Sequence, residues 1–280
     1  MPLTANRPKP MVPVLDRPVI DYVKDAMVAA GLSEIIVTTG CQGEQLIEHV
    51  STWNVNSRVN QEESPMGTAG SVRLLSDELK ETFVVGSGDS VASFDIADLL
   101  DSHRKSGAKV TMALWCVDDP TEYGIVGLSK ENQGEVESGL TEGFISRFKE
   151  KPTADEAFSN LINAGLYIIE PEVMDLVPEG DKYDFSKQLF PEVLSKGWPM
   201  YAKTVNGIWF DVGHPFELHN AQMALISGRD NLPFPMPDGE VLPDGSFISS
   251  SASVSGHVEK SIVLRGASVN GAGILCSGRS

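Results

Sequence analysis

The sequence predicts an α/β fold: a mostly parallel β-sheet with helices on both faces, followed by the start of a left-handed β-helix. Three observations carry that expectation. Short β-branched runs alternate with amphipathic stretches of helical length from Pro18 to Val117, the pattern of right-handed βαβ units. A turn-rich stretch, RDNLPFPMPDGEVLPDGS, interrupts the chain after residue 228. Beyond it Val263, Val269 and Leu275 recur six residues apart among serines and glycines. That is the spacing of inward aliphatic residues on successive flat faces of a left-handed β-helix.

The first element is a helix. Val19, Ile20, Val23, Met27 and Ala30 recur at helical spacing, Pro18 suits a first turn, and Gly31 takes the helix-ending position. EIIVTTG (34–40) reads as a strand buried on both faces. A helix fits 42–50, RVNQ (58–61) a short strand, and a helix runs from about Thr68 to Leu79. TFVVG (82–86) is a second buried strand, DIADLLDSHRKSG (95–107) a helix closed by glycine, and KVTMALWCV (109–117) another strand. From 121 to 170 the pattern loosens, with GIVGLS, FISRFKEKP and INAGLYIIE expected as strands of an added antiparallel layer. Helices PEVMDLV (171–177) and FSKQLFPEVLSKG (185–197) then precede a strand pair near MYAKTV and IWFDVG, and PFELHNAQMALISG (215–228) closes the domain. The expected division is therefore a domain over 1–228, a linker over 229–245 and a β-helix over 246–280. Only about two coils fit that last segment, where repeat folds need about three, so its far end reads as cut short.

Composition narrows the function. The chain has 280 residues, 41% of them hydrophobic, and its 39 acidic against 22 basic side chains leave a formal charge of −17. A field of that sign repels nucleic acid, and any anionic substrate must meet a few placed cations. Cys41, Cys116 and Cys276 are odd in number and far apart, which argues against a disulfide framework or a zinc site. No apolar run approaches the roughly 18 residues that span a bilayer, and no signal-peptide pattern opens the chain, so a cytoplasmic protein is expected.

The loops after the strands are where chemistry belongs, because ligands of such sheets bind at the strands' C-terminal ends. SGD at 87–89 puts Asp89 beyond TFVVG, suited to a hard cation or to a simple turn. In WFDVGHP (209–215), Asp211 lies within an apolar strand, where a carboxylate needs a metal, a salt bridge or a capping role. A metal held between the two aspartates would resolve both. FKEKP (148–152) sets Glu150 beside Lys151, a pair that suits a phosphosugar, although a surface charge run reads the same way. SPMGTAGS (64–71) enters a helix through glycines that would let backbone N–H groups approach a base or phosphate. The five histidines form no metal-binding spacing, and no nucleophile elbow is present.

The ordered set PLTANRPKPM, SPMGTAGS, GSGDSVASFD, EYGIV, RFKEKP, NAGLY, QLFPEVL and WFDVGHPFELHNA closely resembles the sugar-1-phosphate nucleotidylyltransferases. The likeness is greatest to their mannose-1-phosphate guanylyltransferase and glucose-1-phosphate nucleotidyltransferase branch. The resemblance implies a Rossmann-like domain that joins an NTP to a hexose 1-phosphate, with pyrophosphate leaving. Lys9 would meet the nucleotide phosphates, and Asp89 and Asp211 would bind Mg²⁺. Tyr123, Gly124, Glu150 and Asn163 would line the sugar site, Lys151 would meet the sugar's phosphate, and Gln61, Gly67 and Thr68 would face base and ribose. GTP with mannose 1-phosphate is the favoured pair; dTTP or UTP with glucose 1-phosphate is the alternative. A homo-oligomer is expected of the full-length form. The family ordinarily begins with an apolar strand and a GxGTR loop ahead of PLT, and neither precedes PLT here. The reading is therefore of a sequence that misses its true beginning, with a weakened sheet edge, or else of a non-catalytic regulatory or assembly paralogue. A longer β-helix could add an acyltransferase site; two coils cannot.

Overall fold

The computed structural model describes residues 2–40 and 43–271. Leu275, Cys41 and Cys276 lie outside them, and Cys116 is an exposed free thiol. A 3₁₀ turn at Lys9–Met11 leads to a hairpin of β1 (Pro13–Val14) and β2 (Arg17–Pro18). Its turn residues, Leu15 and Asp16, have φ of 45° and 67°, the left-handed conformation that two-residue hairpin loops demand. Helix α1 (Val19–Ala29) follows, then β3 (Glu34–Thr39), α2 (Glu44–Val50), β4 (Asn56–Gln61) and α3 (Gly67–Arg73). Next come β5 (Phe83–Gly86), β6 (Ser90–Ala92), α4 (Ile96–Ser106) and β7 (Val110–Cys116). Asp95 caps α4 by accepting from the Asp98 N–H at 3.0 Å, and Gly107 ends it at φ 64°. Three long strands follow, β8 (Gly124–Ser129), β9 (Glu142–Glu150) and β10 (Leu161–Ile169), then α5 (Phe190–Ser195), β11 (Met200–Thr204), β12 (Trp209–Asp211) and α6 (Pro215–Ser227). The described chain closes with β13 (Gly239–Val241), β14 (Phe247–Ser249), β15 (Ser253–Val254), β16 (Ile262–Val263) and β17 (Ser268–Val269).

These elements gather into two compact units, one of residues 32–87 and 95–206, the other of 1–31, 88–94 and 207–280. The first holds a six-stranded sheet in the order β5-β10-β7-β11-β9-β8. Within it only β7 and β11 run parallel; the remaining neighbours are antiparallel. The expectation of a mostly parallel sheet is thus corrected. β10 returns antiparallel between β5 and β7, and β8 and β9 extend the same sheet, so the strands of 124–169 build the sheet and are not a separate layer. β3 and β4 form a parallel pair of their own. Neither β3 nor β5 is buried along its length: β5 is half-buried throughout, and among the described residues β3 bonds only β4 and β5 only β10. Each therefore keeps one edge without a strand beside it. The core packs Met112, Leu114, Val126, Ile145, Tyr167, Phe185 and Phe190 against one another, which gives the loops above β8 to β10 a rigid base.

The second unit holds the antiparallel ladder of β6 and β12. IWFDVG therefore pairs with Ser90–Ala92, whereas MYAKT joins β7 and β9 in the first unit, correcting the expected pairing of those two segments. Val14, Tyr22, Val91, Val212, Leu225, Phe234 and Phe247 form its core, and the Tyr22 hydroxyl donates to the Val14 carbonyl at 2.7 Å. Toward the end of the chain β14 pairs with β16 and β15 with β17, both parallel, with Phe247 opposite Ile262 and Ser253 opposite Ser268. The partners are 15 residues apart, short of the roughly 18 that three six-residue faces of a hexapeptide coil would require. Val263 and Val269 are buried together with Val258.

Candidate functional site

The register of β6 and β12 sets Asp211 opposite Ser90, so Asp89, one residue earlier, reaches the same end of the ladder. Lys9 comes to that end on the 3₁₀ turn, where Met11 donates to the Pro8 carbonyl at 2.9 Å and Pro8 and Pro10 hold φ. Its ammonium donates to Asp89 Oδ2 at 2.8 Å and to Asp211 Oδ1 at 2.5 Å. Asp211 Oδ1 also accepts from the Gly213 N–H at 3.1 Å. Partial burial works against the charge on Lys9, but the hydrogen bonds to Asp211 and Asp89, with their charges, outweigh it and raise the pKa above the ordinary lysine value. All three side chains stay open to solvent, 27%, 35% and 41% exposed.

Two carboxylate oxygens converging on one cation fit a divalent ion. Magnesium is ordinarily held by one or two carboxylates, with waters and substrate phosphates supplying the remaining oxygens. Among the described residues no cluster of three or more His, Cys, Asp or Glu offers an alternative cage.

A second group lies in the other unit. Gly124 pairs with Glu150 across β8 and β9, and the Lys151 N–H donates to the Tyr123 carbonyl at 2.9 Å. A Cβ on Gly124 would fall 2.7 Å from Glu150 Oε2 and 2.8 Å from the Phe148 ring, so a larger residue there would push both side chains aside. Lys151 itself has φ of 45°, a strained conformation for lysine, and its exposed head lies 3.6 Å from a Glu122 carboxylate oxygen. Asn163 donates to the Tyr167 hydroxyl at 2.8 Å and to Ser186 Oγ at 3.2 Å, and accepts from the Gly165 N–H at 2.9 Å. Burial pushes the Tyr167 phenol pKa up.

Thr68, in the first turn of α3, donates to Asp184 Oδ2 at 3.1 Å and accepts from the Phe185 N–H at 3.0 Å. Glu150 feels the same aspartate: burial raises its pKa, the charge of Asp184 adds to that, and Lys151 and Lys187 oppose it. Asn163 and Thr68 thus belong to one hydrogen-bonded network through Ser186 and Asp184, and Glu150 lies within electrostatic reach of Asp184. Gln61 does not join it; it ends β4 exposed, while the neighbouring Glu62 is buried and accepts from the Met66 N–H at 3.1 Å. Asp184 and Ser186 escaped the sequence reading, which began the helix at Phe185. The available signal was an N-cap, since Asp184 Oδ1 accepts from the Ser186 and Lys187 N–H groups at 3.0 and 3.2 Å.

The family described as Nucleotidyl transferase matches residues 1–228. The chain belongs to that family, in its sugar-1-phosphate branch. Among nucleotidyl transferases, the mannose-1-phosphate guanyltransferase of Eremothecium gossypii is 32% identical over 91% of this chain and 69% of its own length. The Saccharomyces cerevisiae protein of the same name is 34% identical over 76% of this chain and 58% of its own. The chain thus spans about three-fifths to two-thirds of the length of these relatives. The solved UDP-glucose pyrophosphorylase of Acinetobacter baumannii superposes with a TM-score of 0.69 at 22% identity, covering 83% of this chain and 90% of that one, a likeness of fold. No helix among the described residues is long and apolar enough to cross a membrane.

Proposed function

We propose that the chain carries out sugar-1-phosphate nucleotidylyl transfer, joining an NTP to a hexose 1-phosphate, with GTP and mannose 1-phosphate as the preferred pair and UTP or dTTP with glucose 1-phosphate as the alternative. The observation that carries the reading is the convergence of Lys9, Asp89 and Asp211 at hydrogen-bonding distance, from positions far apart along the chain. The guanyltransferase relatives support the choice of base and sugar.

In this reading an oxygen of the sugar's phosphate attacks the α-phosphorus in line. The bond from the α-phosphorus to the bridging oxygen breaks, and pyrophosphate leaves with that electron pair. No protein nucleophile is required; positioning and charge neutralisation suffice. Asp89 and Asp211 hold Mg²⁺, which when bound neutralises phosphate oxygens as a Lewis acid. Lys9 sets a positive charge against the nucleotide phosphates as negative charge builds on them. Glu150 and Asn163 hydrogen-bond sugar hydroxyls, Tyr123 and Gly124 shape that pocket, and Lys151 meets the sugar's phosphate. Gly67 and Thr68, with Gln61, face base and ribose. The reading also takes 1–228 as the transferase domain, 229–245 as a linker and 246–280 as the start of a left-handed β-helix, in a cytoplasmic homo-oligomer.

The test is pyrophosphate release by the full-length protein with Mg²⁺, run over GTP, UTP and dTTP against mannose and glucose 1-phosphates. GTP with mannose 1-phosphate should be fastest. Asp211→Asn and Asp89→Asn should each lower kcat/KM by about 10²-fold or more, the usual scale for lost transition-state charge stabilisation. Release from none of the pairs would end the proposal.

A further inference from the structure

The Lys9 ammonium sits where a shared cation would sit. It bonds one oxygen of each aspartate, and these are the two oxygens that converge. Magnesium bonds carboxylate oxygen at about 2.0–2.1 Å, so an ion gripping the same two oxygens would lie against the lysine nitrogen, charge against charge. Both cannot occupy the place at once.

Resting on the reading of Asp89 and Asp211 as the metal ligands, we propose that Lys9 is their internal counter-ion and is exchanged for the divalent cation, so that metal entry and release of Lys9 toward the nucleotide phosphates are one event. The local build allows this. The backbone at Lys9 is fixed by the 3₁₀ turn and its flanking prolines, while the side chain above it has four rotatable bonds and is partly exposed. The ammonium can swing without moving the turn. Gly213 does not crowd it, since even a Cβ there would come no nearer than 3.7 Å to the lysine nitrogen. Without a cation two carboxylates at this separation would repel each other, and Lys9 removes that cost in the metal-free protein. The exchange also sets an order: metal alone must compete with a bound ammonium, whereas a metal triphosphate supplies both the ion for the aspartates and an anion for the displaced lysine.

The test reads binding and not turnover. Mn²⁺ affinity without nucleotide, measured by electron paramagnetic resonance, should rise about tenfold or more in Lys9→Met, because the competing cation is gone. Asp211→Asn in that background should abolish the gain. In the wild-type protein, reductive methylation followed by mass spectrometry should find Lys9 slow to react in chelator and several-fold faster in saturating Mg²⁺, which needs no variant to fold. Unchanged Mn²⁺ affinity in Lys9→Met, or a Lys9 methylation rate indifferent to Mg²⁺, would overturn the exchange. If those results accompany loss of Mn²⁺ binding in Asp211→Asn, the metal site stands and the exchange alone fails. If Asp211→Asn leaves Mn²⁺ binding unchanged, the site assignment fails with it.

Discussion

Single residues at the candidate site are held against their own preferences. Glu150 is half-buried with a second carboxylate, Asp184, close enough to raise its pKa, and neither Lys151 nor Lys187 fully offsets that. A carboxyl whose folded pKa is raised favours the native state while protonated, at pH below its unfolded pKa. It loses that contribution as pH rises through the folded value. At neutral pH the ionised Glu150 is therefore destabilising, a cost that a purely structural residue has no reason to carry. Glu150→Gln keeps the shape and removes the charge. It should raise stability by up to about 1 kcal/mol at pH 7.5, the figure kept small because the group is partly exposed, and change nothing near pH 4. Urea titrations at the two pH values check this, and equal stability at pH 7.5 would contradict it. The same variant should weaken hexose 1-phosphate binding, which separates the cost from its use.

Elements show which parts of the molecule were legible and why. Helices α1 and α4 were readable because their signals are local: apolar spacing along one face, Asp95 at one end of α4 and Gly107 at the other. Most strand positions of the first unit were readable as well, but not β6, nor strand direction or depth: a β-branched run reports strand propensity and not the neighbours that cover it, and β3 and β5 lie less buried than their composition suggests. Hence β10 was located but not its antiparallel place between β5 and β7, and β12 was located but not its pairing with β6. Asp89 and Asp211 were legible as candidates from their strand context, and Lys9 only through the family resemblance; the position of Asp211 opposite Ser90 depends on the β6–β12 register, which no local pattern encodes. The start of α3 tests this view of long-range constraint. Gly67 has φ of 75°, and a Cβ there would lie 2.5 Å from the Tyr183 carbonyl oxygen, whereas Gly180, at φ 78°, faces open space. Gly180→Ala should then cost only the conformational strain, about 1 kcal/mol, and Gly67→Ala roughly 3 kcal/mol or more because backbone must move. It should also displace Asp184, and so weaken nucleotide binding, while Gly180→Ala should not. Thermal melts and nucleotide titrations of the two variants distinguish the outcomes, and equal costs would refute the packing argument.

Over the whole molecule the deciding quantity is charge. The chain carries 39 acidic and 22 basic side chains, a net −17, so most of its surface repels itself. Local ion pairs oppose this, but several are exposed, such as Arg58 with Glu78 and Lys130 with Glu137, and exposed pairs contribute only about 0–1 kcal/mol each. Salt weakens both effects, though not equally. Pairs in contact at 3 Å are screened little, whereas repulsion across the surface acts over distances that the Debye length cuts from about 30 Å at 0.01 M to about 10 Å at 0.1 M. Repulsion should lose more, so the melting temperature should climb by a few degrees between about 10 and 300 mM NaCl, most of it below 100 mM, where the Debye length changes fastest. A gain that instead continued above 300 mM and grew when sulfate replaced chloride would report exclusion of salt from apolar surface and not relief of repulsion. A fall in melting temperature would mean that the ion pairs outweigh the net charge. A further rise on replacing NaCl with MgCl₂ at equal ionic strength, absent in Asp89→Asn and Asp211→Asn, would trace that gain to a cation held by these two aspartates and not to general screening.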